Sequence, residues 1–323
     1  QKLESLESPI REILYRPFDK RLVFYDRSVI WSMAQPISDQ MAGFDNLALL
    51  ATRQVTRPKF EHVFVATETA EIKACSHDRN TQIFPLFLKP TFKNGNLFPY
   101  ARPNISAEMI LRFSKSLGMK FHDQQADVDL NANFSAVSLF RYVYSILHSD
   151  VYRKRYFDFL RSDFPRVPVP QNQTLFLELA AKGEDLIRLH TIDFNVLDIS
   201  IPKFHGPVTT VGKVGWTDDY GGTVWLDGSG TVKNYKLGTS GVSPVPRAVW
   251  EYRIGGYQVC EKWLKDRGPK KGRPGSELTE VDIERYQKII ISISETIRIK
   301  VEVDDVICLH GGWPDAFINA DQL

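Results

Sequence analysis

Hydrophobic periodicity switches three times along the 323 residues, and that alternation limits the possible folds more than any other feature. In the first third, short aromatic and β-branched runs follow one another: Leu22-Val23-Phe24-Tyr25, Val29-Ile30-Trp31, then 47–51, 62–67, 72–75 and 83–88. Such runs, bounded by turn residues, predict strands. Pro85 confines part of the last one to a sheet edge or a strand end. Residues 3–13 read as a charged helical start. Residues 89–104, with Pro90, Asn94-Gly95, Pro99 and Pro103, predict turn and loop.

From 135 to 148 the period becomes helical, with Val137, Phe140, Val143, Tyr144 and Leu147 on one stripe. Ser149 or Asp150 can cap a second helix carrying Val151, Tyr152, Tyr156, Phe159 and Leu160, which Pro165, Pro168 and Pro170 end. Another helix is predicted over 174–190, with Gly183 as its weak point. Strand signals then return over 208–216, 223–226 and 232–237. The turns between them, Gly221-Gly222 and Asp227-Gly228-Ser229-Gly230, predict hairpins. Residues 249–254 read as one more strand, broken by Gly255-Gly256 before a helix with Tyr257, Cys260, Trp263 and Leu264 on one face. In the final helix Thr279 is the N-cap, Asp282 completes a capping box, and Leu278 and Ile283 form a hydrophobic staple. The stripe Ile283, Tyr286, Ile290, Ile293 and Ile297 extends it over roughly 24 residues, about 36 Å. The expected class is α+β: a β-rich N-terminal lobe (1–103), a central helical layer (104–200), a second group of strands with C-terminal helices (201–305), and an unassigned tail (306–323).

Composition narrows the function. With 43% hydrophobic and 25% charged residues, disorder is excluded, and no apolar run approaches the ~18 residues of a membrane span. A formal net charge of +2 argues against a histone-like binder, although a basic patch is a local quantity. The three cysteines, Cys75, Cys260 and Cys308, lie far apart, so neither a disulfide framework nor a zinc knuckle is signalled and a reducing cytoplasm fits best. The charged start lacks a signal-peptide core and an initiator Met, which favours excision from a longer chain.

The motifs of catalysis are missing from the sequence. The glycine-rich stretch 268–276 has the wrong spacing for a phosphate cradle. There is no nucleophile elbow, no His-Glu-x-x-His, and no deaminase signature. No Pro-Pro dipeptide offers the base-holding loop of an adenine methyltransferase. Cys75-Ser76-His77-Asp78 is a weak ligand cluster and reads as a strand end. Asp127-Val128-Asp129 reads as a solvated loop. No catalytic residue, metal site or cofactor is therefore expected within this chain.

Four basic clusters remain. Arg16, Lys20 and Arg21, within Tyr15-Arg16-Pro17-Phe18-Asp19-Lys20-Arg21, form either a phosphate clamp or a structural turn in which Asp19 pairs with an arginine. Arg53-Gln54 and Arg57-Pro58-Lys59 lie in a stretch without acids. Arg and Gln suit guanine and adenine edges respectively, but adjacent strand residues point to opposite faces, so both can read bases only from a loop or a twisted strand end. Arg153-Lys154-Arg155, with Arg161 and Arg166, reads as the solvated side of a helix. Lys262, Lys265, Arg267, Lys270, Lys271 and Arg273 form the fourth cluster. There, Gly255-Gly256 before a helix could offer free N–H groups to an anion, and the loop from Lys270 reads as a mobile basic arm.

Several stretches together resemble one family. Tyr15 to Arg21, Ile83-Phe-Pro-Leu-Phe87, Tyr144-Ser-Ile-Leu-His-Ser149 with Tyr152-Arg153 and Arg155-Tyr156, Asp163-Phe164-Pro165-Arg166, and Ile254-Gly-Gly-Tyr-Gln-Val259 with Lys262-Trp-Leu-Lys265 look like the C-terminal specificity region of single-chain type ISP restriction–modification enzymes. The similarity runs from about residue 13 to about residue 303. It implies a target recognition domain for double-stranded DNA, covalently linked to an upstream adenine-N6 methyltransferase. S-adenosylmethionine and ATP/Mg would then belong to upstream domains, and no membrane is involved. The DNA-binding candidates, chosen on charge and side-chain chemistry alone, are Arg16, Lys20, Arg21, Arg53, Gln54, Arg57, Lys59, Lys270, Lys271 and Arg273. The alternative is a docking or scaffold module of the same enzyme with minor DNA contact.

Overall fold

The computed structural model describes residues 10–26, 28–30, 35–41, 45–89, 91–93, 96–98, 101–123, 132–193, 202–230 and 234–318. The Asp127-Asp129 pair and the Asn94-Gly95 turn lie outside the described residues. The fold is mixed α+β, as the alternating periods imply.

The chain opens with an antiparallel hairpin, Ile10–Arg16 against Asp19–Phe24. Residues 10–13 are thus strand, not helix: Leu14 is the inward residue of an alternating pattern and fills a core position. Val29 and Ile30 form a turn closed by their N–H groups on the Asp26 carbonyl. A three-stranded antiparallel sheet follows, ordered Val63–Ala66, Ala48–Ala51, Gln82–Pro85. Pro85 ends an edge strand, where its missing donor costs nothing. Residues 72–75 form a turn, not a strand: the Glu71 N–H is bound by Leu14 and the Cys75 N–H by the Thr81 hydroxyl.

This sheet lies between two hydrophobic cores. Val63 and Val65 point into the first, while Leu50, Phe64 and Ala66 point into the second. The alternation of strand side chains produces that division. The helices Ala107–Leu117, Ala136–His148 and Gln173–Thr191 build the first core. Ser135 and Ser138 complete a capping box at the start of Ala136–His148. Ser149 caps the next helix, which breaks at Tyr156 into Asp150–Arg155 and Phe157–Ser162.

The second core is covered by an antiparallel sheet ordered Lys203–His205, Gly241–Ser243, Thr223–Gly230, Lys213–Thr217, with Tyr235–Lys236 pairing the end of Thr223–Gly230. Gly221-Gly222 turns the hairpin as expected. Residues 227–230 are strand, however, because the Asp227 carboxylate accepts the N–H groups of Thr239 and Ser240 and the Thr239 hydroxyl, drawing that loop onto the sheet. Residues 249–254 divide into a helical turn, Arg247–Trp250, and the strand Arg253–Ile254. That strand returns as Tyr257–Gln258 through Gly255-Gly256, both at positive φ (59° and 84°). A type I′ hairpin turn requires such angles. The helix Val259–Lys265 follows.

The helix Glu280–Leu309 has the expected capping box but runs for 30 residues, about 45 Å. Tyr286, Ile289, Ile290 and Ile293 lie in the second core, while Ile299, Val303 and Ile307 lie in the first. One helix therefore pins both. The expected stripe stopped at Ile297 because Glu295, Arg298 and Glu302 interrupt it with exposed ion pairs. The tail folds back, with Ala316 and Phe317 buried and the Gln171 N–H bound to the Ala316 carbonyl.

A buried polar chain stitches the helices together. The Tyr144 hydroxyl donates to His190 Nδ1, and His190 Nε2 donates to Thr296 Oγ1 (2.9 Å). Thr296 Oγ1 in turn donates to the Ser292 carbonyl (2.6 Å). Burial drives His190 down to about 3, and the Arg153 charge adds to that. The ring is therefore neutral, protonated on Nε2. Among the described residues, no helix is long and apolar enough to cross a membrane.

Candidate nucleic-acid interface

Residues 52–62 leave the first sheet and rejoin it without forming a strand. Val55 and Phe60 are buried plugs that fix the loop, and Arg53, Gln54 and Lys59 between and beside them are exposed. The Val55 N–H donates to the Arg161 carbonyl (3.1 Å), and Thr56 bonds Asp78. Arg53 Nε meets Asp163 Oδ1 at 3.2 Å, both side chains more than half exposed. The condition for Arg53 and Gln54 to act together, a loop rather than a strand, is met. Arg57 lies against the second hairpin turn: a Cβ on Gly256 would stand 3.0 Å from Arg57 Cδ and 2.7 Å from His77 Nδ1.

The first cluster is balanced within the chain. Arg16 pairs with Glu71, Lys20 with Glu68, and Arg21 with Asp19 (2.9 Å). The Tyr15 ring is sandwiched between the guanidinium groups of Arg16 (4.0 Å) and Arg21 (4.2 Å). Buried Asp19 also accepts from Arg267 at 3.0 Å, so the first and fourth clusters meet on one carboxylate. Arg267 stacks on Trp263 at 3.5 Å. Lys262 and Lys265 pair with Asp266 and Glu261.

Lys270, Lys271 and Arg273 remain exposed, and none has an ion-pair partner among the described residues. They sit on a tight turn. Lys270 and Arg273 exchange backbone hydrogen bonds of 3.0 and 2.8 Å around Gly272, and the Ser276 N–H is held by the Arg267 carbonyl at 2.7 Å. Nor does the Gly255-Gly256 turn offer a free N–H at Gly255, which donates to the Glu61 carbonyl at 2.7 Å.

The structure also joins residues that the sequence keeps apart. A cleft of about 610 Å³ is lined by the cations Lys59, Arg153, Lys154, Arg253 and Lys300 and the acids Glu61, Asp150 and Glu251, with Phe60, Phe157 and Tyr252 as its aromatic walls. Arg153 and Lys154, expected on a solvated helix face, thus come beside Lys59. Burial raises the Glu61 carboxyl above the usual range against the pull of Arg153 and Lys59. Lys300 is lowered by burial, then by Arg153, although Asp150 lies 2.6 Å away. No sequence pattern marks this cleft, because its lining comes from four separate stretches.

No group of three or more metal-ligating side chains occurs among the described residues. Cys75 is buried, and burial pushes its thiol far above its ordinary value.

The two-core α+β scaffold carries exposed basic loops, and connecting loops of this kind are where binding residues are commonly found. The chain belongs to the Type ISP C-terminal specificity domain family, whose model matches residues 1–300. Among solved structures, it is similar to a nuclease-deletion mutant of the Type ISP restriction-modification enzyme LlaGI in complex with a DNA substrate mimic. That match has 18% identity and a TM-score of 0.62, and covers 91% of this chain and 21% of that one. It is also similar to the ATP-dependent Type ISP restriction-modification enzyme LlaBIII bound to DNA, at 16% identity and TM-score 0.65, covering 94% and 19%. A third is a DrdV–DNA complex, at 20% identity and TM-score 0.66, covering 94% and 29%. The chain thus spans about a fifth to under a third of the length of those proteins. A comparison with curated proteins gives no match.

Proposed function

We propose that this chain is the sequence-specific double-stranded DNA target recognition domain of a bacterial restriction–modification enzyme, itself non-catalytic and acting in the cytoplasm. It positions DNA for adenine-N6 methylation and for restriction by upstream domains. S-adenosylmethionine and ATP/Mg are assigned to those domains. The observation that carries this reading is the loop 52–62: two buried plugs hold an exposed Arg53-Gln54 pair beside Arg57 and Lys59. Those side chains can read base edges, and their charge can hold phosphates. The turn bearing Lys270, Lys271 and Arg273 supplies further phosphate contacts. Arg16, Lys20 and Arg21 are assigned to holding the N-terminal hairpin, since each is tied to a carboxylate that is itself largely shielded, whereas the Arg53–Asp163 pair is exposed on both sides.

Fluorescence anisotropy of this chain with labelled duplexes tests the reading. Affinity is expected to fall linearly on a log–log plot with salt. Arg53→Ala and Gln54→Ala should each relax the preferred sequence, by roughly 1–3 kcal/mol at one base pair. Absence of duplex binding at low salt, or an unchanged sequence preference in both variants, refutes it.

A further inference from the structure

We propose that the cleft between the loop 52–62, the helix Asp150–Arg155 and the long C-terminal helix seats the sugar–phosphate backbone of duplex DNA, with Lys59, Arg153 and Lys154 as its phosphate-contacting side chains. The inference rests on the recognition reading above and extends it to residues that the sequence placed on an idle face.

The charge arrangement carries it. Five cations line the cleft, and only Lys300 has an ion-pair partner there, Asp150 at 2.6 Å. Among the described residues, Lys59, Arg153, Lys154 and Arg253 have no carboxylate within ion-pair distance. Arg153 Nε donates to the Leu147 carbonyl at 2.6 Å, which anchors the guanidinium at the cleft wall without neutralising it. Its charge is felt by His148, Lys300 and Glu61 around it. A partly buried arginine left without a carboxylate is costly unless an anion arrives.

Size and position select the anion. About 610 Å³ is far more room than one inorganic phosphate needs. Three acids share the space: Asp150 is taken up by Lys300, Glu251 pairs with Arg247 at 3.6 Å, and Glu61 keeps an anion toward Lys59 and Lys154, both exposed. Lys59 belongs at once to this cleft and to the loop carrying Arg53 and Gln54. Lys59 thus links the cleft to the loop proposed to meet the bases. Phosphate contacts of this kind set register and carry no sequence information.

Lys154→Gln is the test, with Lys115→Gln on the helix Ala107–Leu117 as control. Both side chains are exposed, so the fold is not at risk. Lys154→Gln should lower the slope of log K against log salt by about 0.9, leaving the preferred sequence unchanged, while Lys115→Gln leaves both unchanged. Acetylation of Lys59 and Lys154, followed by mass spectrometry, should slow when duplex is bound. Millimolar inorganic phosphate alone should not slow it. An unchanged slope with unprotected lysines, in a chain that still binds duplex, overturns the cleft and leaves the recognition reading standing. Equal protection by inorganic phosphate marks a small-anion site and also overturns it. No duplex binding at all removes both.

Discussion

Gly183→Ala should destabilise the protein even though alanine is the better helix former. Gly183 sits in the middle of Gln173–Thr191 and is buried. A Cβ there would overlap the Arg141 carbonyl oxygen, stand 2.5 Å from its carbonyl carbon and 3.0 Å from its Cα. That carbonyl belongs to the helix Ala136–His148 and cannot rotate away without losing its place in the helix. Relief requires the two helices to part by more than about 1 Å, because the overlap with the carbonyl oxygen is deeper than that with its carbon. Parting them disturbs the Arg141–Glu184 pair and the bond from Tyr144 to His190. Alanine recovers about 1 kcal/mol of helix propensity, while overpacking against backbone costs about 1–3 kcal/mol or more. Because the overlap is with backbone and not with a flexible side chain, the cost lies in the upper part of that range, about 2–3 kcal/mol, and the expected net loss is about 1–2 kcal/mol. With a urea m-value of about 3 kcal/mol per M for a chain of this size, the midpoint should drop by about 0.5 M. A midpoint that stays level or rises would show that the helices do not meet at this glycine.

The remaining predictions join stability to the interface. His62, His148 and His190 are buried and held neutral, His62 near 4 and His190 near 3, each chiefly by desolvation. The unfolded chain takes up these protons near pH 6.5 and the native one does not, so stability is complete above that pH and lost as pH falls from 6.5 toward 4: at pH 5 about 2 kcal/mol for each of His62 and His190, checked by urea midpoints at pH 8 and pH 5, with an unchanged midpoint counting against it. Asp304 accepts the Ser149 hydroxyl and the N–H groups of Asp150 (3.1 Å) and Val151 (3.3 Å), capping the helix that carries Arg153 and Lys154. Asp304→Ala should cost about 1–2 kcal/mol and weaken duplex binding without altering sequence preference; wild-type affinity would separate the cap from the cleft.

Features set by neighbouring residues were legible in the sequence. The capping box at Thr279 forms as its spacing implies, because a cap is a bond across three residues; the one at Ser135 is of the same local kind but was not read from the sequence. The Gly221-Gly222 hairpin and the Pro85 strand end follow for similar local reasons. Strand and helix types failed where a distant partner intervened. Asp227 drew in Thr239, so 227–230 became strand. Residues 10–13 became strand because the hairpin with Asp19–Phe24 bonds their backbone.

The candidate site divides along the same line. The sequence by itself determined the residue types available for contact and the acid-free stretch around Arg53 and Arg57, and the motif series pointed to the family. Only the tertiary structure decided which cations are already matched: Arg16 by Glu71, 55 residues away, and Asp19 by Arg267, 248 residues away. It also brought Arg153 and Lys154 to Lys59 and left all three without an acid partner among the described residues. Helix propensity and capping act over a few residues and are written in order along the chain. Charge compensation depends on which side chains stand within a few ångströms after folding, and sequence distance carries no information about that.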